Sequence, residues 1–183
     1  MSLRMMFVLA LWLIMAAGRG AAAAVADSNG VQTFSANISS NACTITGLDV
    51  LHNWGDMPKS LLLSTSDGGI LKSYSDVITV SNCPDSATAV SVTFLYKAVP
   101  GLAFFGDVEN EGAARGIMAR LSQPGSFALP YGEGQSVDFP LVKGGVDITV
   151  NIDLLRMYRD TIPDAAVTSG TGKFDATMVL SVS

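Results

Sequence analysis

Few side chains in this sequence could do covalent or metal chemistry. Its 183 residues include two cysteines, Cys43 and Cys83, and a single histidine, His52. His52 sits in "LHNWGD", where it could act as a general base, oriented by Asp49 or Asp56, toward one of many serines. No serine lies in a GxSxG-type elbow or another catalytic frame, so His52 beside Trp54 reads as a half-buried packing or loop residue. Asp107, Glu109 and Glu111 alternate in "DVENE" and could present carboxylates to a hard cation. The stretch lacks the glycine turn and twelfth-position glutamate of a calcium loop and reads as a solvated loop. A metal centre at the cysteines would need more ligands than one histidine supplies. Asn37-Ile38-Ser39 fits a glycosylation sequon but falls inside a strand-like pattern. Trp54 reads as core filling or a sandwich edge, since a sugar-stacking role would need aromatic neighbours. The reading is a protein that is not an enzyme and needs no cofactor.

The compartment follows from the first residues. Arg4 is a positive n-region, Met5 to Ala17 an apolar h-region, and Ala24-Val25-Ala26 a small-x-small cleavage site. Residues 1–26 are therefore expected to be a signal peptide, and no run is long enough for membrane insertion. Cleavage leaves 157 residues, enough for one domain with a substantial core. Losing Arg4 and Arg19 takes the basic count from 11 to 9 against 16 acidic residues, a net of −7. Such a balance offers no electrostatic footprint for nucleic acid. In an oxidising compartment Cys43 and Cys83 are expected to form one disulfide, worth about 4 kcal/mol for a loop of that length.

The elements that must position these residues are strands. Val146, Ile148, Val150, Ile152 and Leu154 alternate with polar residues, as do Val90, Val92, Phe94 and Tyr96. Ile117, Ala119 and Leu121 make a shorter strand, and Phe174, Ala176, Met178, Leu180 and Val182 share one face at the end. Val77 to Cys83 and Ala42 to Val50 are further candidates. Turn signals separate them: Ser66 to Gly69, Gln123 to Gly125, Tyr131 to Gly134 and Lys143 to Gly145. Leu61 to Leu63 could begin a short helical turn, but no segment keeps the helical period. The expectation is one all-β domain, a sandwich or barrel.

Several stretches together resemble the subunits of chaperone–usher pili, the adhesive fimbriae of Gram-negative bacteria. "FSANISSNAC" (Phe34 to Cys43) is similar to the family's start, and "ITVSNC" leads into the second cysteine as in its single disulfide. "AARGIMARL" (Ala113 to Leu121) resembles a central family strand. "GTGKFDATMVLSVS" resembles the closing strand, with Gly170 fourteen positions from the end.

The resemblance implies an incomplete immunoglobulin-like β-sandwich, the pilin fold, that lacks its final strand and carries one disulfide. Residues 27–38 would be an N-terminal extension acting as donor strand, and 39–183 the sandwich domain. Phe34, Ala36 and Ile38 would enter the groove of a neighbouring subunit. Phe174, Ala176, Met178, Leu180 and Val182 would contact a periplasmic chaperone's strand, and the carboxylate of Ser183 would be anchored by that chaperone. Implied partners are the chaperone, an outer-membrane usher and neighbouring subunits, with export through the periplasm to a cell-surface fimbrium. Without the resemblance, Val31 to Ile38 reads as the first strand of the chain's own sandwich. The alternative function is a self-complete secreted sandwich binding a glycan or host protein. The family usually has glycine where Ala36 stands and tyrosine where Val182 stands, departures that point toward a minor or adaptor subunit.

Overall fold

The computed structural model describes residues 43–48, 52, 54, 58–102, 105–125 and 130–183. The expected signal peptide and the extension 27–38, with Phe34, Ala36 and Ile38, lie outside these residues. The described chain forms β1 (Thr44–Thr46), a short helix α1 (Lys59–Ser64), β2 (Ile70–Ser81), β3 (Ala89–Tyr96), β4 (Asp107–Glu109), β5 (Ile117–Ser122), β6 (Ser136–Pro140), β7 (Val146–Arg156), a 3-10 turn (Asp164–Ala166) and β8 (Ala176–Val182). The strands pair antiparallel as a five-stranded sheet, β1-β2-β7-β5-β4, and a three-stranded sheet, β6-β3-β8.

Period-two patterning explains how the sheets stack. On β7, Ile148, Val150, Ile152 and Leu154 turn inward and are fully buried, while Asp147, Thr149, Asn151 and Asp153 turn outward. They meet Ile78 and Val80 of β2, Val90, Val92 and Phe94 of β3, and Met178 and Leu180 of β8 in one core. The fold is therefore an all-β two-sheet sandwich. Cys43 and Cys83 are disulfide-bonded, tying the residue before β1 to the chain just past β2. Gly47, with φ +87°, follows β1 where any side chain would collide with the Val77 carbonyl, so β1 ends against β2.

Strand expectations need correction at several points: among the described residues of Ala42 to Val50 only Thr44–Thr46 is strand, and the closing strand begins at Ala176, after Phe174. β2 starts at Ile70, seven residues before Val77, because its first half, "ILKSYSD", is too polar to show the alternation, and Cys83 lies beyond its end. β6 was not anticipated; it is five residues long, with only Val137 and Phe139 half-buried as apolar anchors. Asp107 to Glu109 is a strand, not a solvated loop, and Asp107 is wholly buried.

One end of the larger sheet carries a strap, residues 157–167, over a second apolar cluster of Val99, Met118, Leu155 and Met157. The fully buried Arg156 holds the strap by donating from Nη1 to Met157 O (2.5 Å) and from Nη2 to Ile162 O and Asp164 Oδ1 (both 3.0 Å). Arg159 binds Asp164 and Asp67 and donates to the Leu63 and Thr65 carbonyls, capping the C-terminal end of α1.

Candidate functional site

The two long margins of the sandwich differ. On the β5–β6 side, residues 130–134 stitch the sheets together. Tyr131 N donates to Leu121 O (3.0 Å) of β5, and Gly134 N donates to Phe94 O (2.8 Å) of β3. The Tyr131 ring is fully buried against Phe94, with centroids 4.7 Å apart, and its hydroxyl donates to Thr149 O (3.2 Å) of β7. Tyr96 Oη donates to Tyr131 O (2.9 Å), and burial raises both phenols above their usual range. Beside this stitch, β3 runs on into Lys97–Val99, which hydrogen-bonds β4 of the other sheet through Glu109 N to Lys97 O (2.7 Å) and Val99 N to Asp107 O (2.9 Å).

On the other side β8 is an edge. Ala89 and Ser183 exchange both main-chain hydrogen bonds, at 3.2 and 3.0 Å. In an antiparallel ladder every second pair does so, so Ser181, Val179 and Thr177 also point their N–H and C=O groups at β3. The corresponding groups of Ala176, Met178, Leu180 and Val182 therefore point away from β3. Among the described residues no strand pairs with them. An unpaired row of this kind is a template for another strand.

The same residues point their side chains inward. Ala176, Met178 and Leu180 are buried, Phe174 just ahead of the strand is buried too, and Val182 is half-buried. These five fill the core while four of them present main chain outward. Ser183 is engaged at home, its O accepting from Thr88 N (2.6 Å) as well as Ala89 N. The approach to β8 is fixed by Gly170, which packs so closely on Ala113 and Ala114 that a Cβ would collide with their backbone.

The other candidate residues are committed to local contacts. His52 Nε2 lies 2.7 Å from Asp76 Oδ2, both buried, and its ring stacks on Tyr74 at 4.2 Å. Asp76 on β2 is thus its partner; Asp49 and Asp56 lie outside the described residues. Trp54 is buried edge-on to Tyr74 and belongs to the core, and its carbonyl accepts from Lys72 Nζ. The alternating acids separate into three ion pairs. Asp107 takes a two-pronged contact from Arg120 (2.6 and 2.9 Å), Glu109 meets Lys97 (3.0 Å) and Glu111 meets Lys173 (3.5 Å). Burial pushes the Asp107 carboxyl up, with the Arg120 guanidinium opposing it. No cluster of metal-ligating side chains occurs among the described residues.

The stitch through Tyr131 went unseen in the sequence, where the tyrosine sits in a glycine-flanked turn; only its being the one aromatic of that turn could have flagged it.

No family model matches the chain, and no curated protein matches it by sequence. Among solved structures it is similar to a Burkholderia pseudomallei antigen and type I fimbria protein, at 14% identity over 78% of this chain and 87% of that one, TM-score 0.43. It is also similar to the CupB6 tip adhesin of Pseudomonas aeruginosa, at 11% identity over 85% of this chain, TM-score 0.47, and spans 41% of that adhesin's length. A third is the receptor binding domain of the plasmid-born adhesin MrkD1P of Klebsiella pneumoniae, at 12% identity over 86% of this chain and 94% of that one, TM-score 0.29. The two-sheet assignment above rests on this chain's own strand pairing.

Proposed function

We propose that the chain is a non-catalytic structural subunit of an adhesive pilus, polymerising by donor-strand exchange. In this reading the margin beside β8 is completed by strand addition, first from a periplasmic chaperone and then from the extension of a neighbouring subunit delivered through an outer-membrane usher. The observation that carries it is the outward row of main-chain groups on Ala176, Met178, Leu180 and Val182, unpaired among the described residues, on a sandwich whose opposite margin is hydrogen-bonded shut. An incoming strand gains that ladder as well as apolar burial. If Phe34 and Ile38 of the neighbour are buried fully, they contribute about 3–6 kcal/mol, and each net ladder bond adds roughly 1 kcal/mol. Ala36 lies between them by period two and brings a methyl group to the position where the resembled family has glycine, so the two backbones approach less closely there.

The test is recovery from the periplasm. Expressed alone, the mature chain is expected to aggregate or be degraded; co-expressed with a cognate chaperone it should be recovered as a complex. Deleting Ala176 to Ser183 should abolish that complex. A soluble, thermally robust monomer obtained without chaperone would contradict the proposal and favour the self-complete binding module.

A further inference from the structure

The outer face of the five-stranded sheet carries a cleft of about 460 Å³, within the range of roughly 300–1,000 Å³ typical of small-molecule sites. Its floor exists because the outward residues there are short: Ser73 and Ser75 on β2, Asn151 and Asp153 on β7, and Ser122 at the end of β5. Gln123 rises from the following turn as one wall, and the exposed Ile70 is an apolar rim. Ser75, Asn151 and Ser122 are register partners across three strands, so their side chains converge on one row.

Hydrogen bonds within the floor pre-orient two of these groups. Ser73 Oγ donates to Asp153 Oδ1, and Ser75 Oγ donates to Asn151 Oδ1 (2.9 Å). That leaves Asp153 Oδ2 as an acceptor and Asn151 Nδ2 as a donor, two residues apart on one strand face and so about 7 Å apart. Ser122 Oγ and the Gln123 amide add groups of both kinds, and none of these four has a partner among the described residues. Arg120 is the register partner of Asp153 on β5, and its Nε and Nη2 are held by the Asp107 carboxylate.

This pattern selects among ligands. A sulfate or carboxylate can only accept and a phosphate is anionic, so each meets the Asp153 carboxylate as a like charge, beside an Arg120 whose charge Asp107 already offsets. A protonated amine can only donate, and meets the Asn151 amide hydrogens. A hydroxyl does both, so neighbouring hydroxyls can donate to Asp153 while accepting from Asn151. The C–H face of a sugar ring would have Ile70 to lie against. An added strand is excluded, because β7 is already laddered on both sides by β2 and β5. We propose that this cleft binds a neutral saccharide unit of a glycan, giving the chain a recognition function apart from any role in assembly.

The experiment is a residue-resolved NMR titration of the isotopically labelled full chain, in whatever complex it is purified. The probes are glucose, galactose, mannose and N-acetylglucosamine, with putrescine and inorganic phosphate for contrast. At least one sugar is expected to give saturable shifts confined to residues 73–75, 122–125 and 151–153. Asp153→Asn and Asn151→Ala should each weaken it about tenfold or more, as loss of a well-made hydrogen bond does. Asp138→Asn, on the other sheet, should not. The proposal is overturned if no sugar moves these residues, if putrescine or phosphate binds there as well as any sugar, or if both cleft variants keep full affinity. The cleft lies away from β8, so any of these results leaves the strand-exchange reading standing on its own co-purification test.

Discussion

The margin at Tyr131 and the margin at β8 solve the same problem in opposite ways. Two stacked sheets always present edges whose main-chain groups need partners. At Tyr131 the chain supplies them itself: one buried aromatic donates from its amide to β5 and from its hydroxyl to β7, and accepts at its carbonyl from Tyr96 of β3. At β8 the described residues supply partners for one side only. At the edge of the larger sheet a covalent tie, Cys43–Cys83, holds β1 to β2. Among the described residues one margin is hydrogen-bonded shut and the other keeps an unpaired row, which a further strand could complete without rearranging the core.

The comparison can be broken most severely at the stitch. Tyr131→Ala removes a fully buried ring and should cost about 4 kcal/mol, read as a lower midpoint in denaturant. Tyr131→Phe keeps the ring and strands the Thr149 carbonyl, so it should cost about 1 kcal/mol. If the two variants are equally stable, the hydroxyl and not the ring holds this margin.

Next in size is the ion pair beside the stitch. Asp107→Ala leaves the Arg120 guanidinium partly buried without its carboxylate and should cost about 3 kcal/mol. Replacing both residues with apolar ones of similar volume should recover most of that loss. Thermal unfolding of the single and double variants separates the two effects.

The smallest effect concerns the strap. Hydrogen bonds from Arg156 and Arg159 hold the Asp164 carboxyl below its usual range. A depressed folded-state pKa means its contribution is present at neutral pH and is lost as pH falls from the ordinary carboxylate range through the folded value. The melting temperature of the native chain should therefore fall more steeply below about pH 4 than that of Asp164→Asn. Parallel curves would show that the strap is held by Arg156's carbonyl contacts alone.

How much of this was legible in the sequence depends on where apolar alternation was strong. β3, β5, β7 and β8 announced themselves because each places three or more apolar residues at alternate positions along one face. β4 was hidden because Asp107 and Glu109 read as solvated acids until Arg120 and Lys97 are brought to them from distant sequence. The first half of β2 was hidden because its inward positions, Tyr74 and Asp76, meet Trp54 and His52 where the other core positions meet aliphatic side chains. At the candidate site, the inward face of the closing strand, Ala176, Met178, Leu180 and Val182, was legible from its alternation, and Phe174 lies ahead of the strand. Which of their main-chain groups point outward could not be read from the pattern, since it follows from the hydrogen-bonded pairing of Ala89 with Ser183.

Amide hydrogen exchange along β8 tests the central claim most directly. In the chain without added partner, the amides of Thr177, Val179 and Ser181 should be protected by β3, and those of Ala176, Met178, Leu180 and Val182 should exchange much faster. Adding a synthetic peptide of residues 31–38, or binding the chaperone, should protect the second set. Equal protection of both sets in the dilute chain alone, with no further change on adding a strand, would show that the margin is already complete.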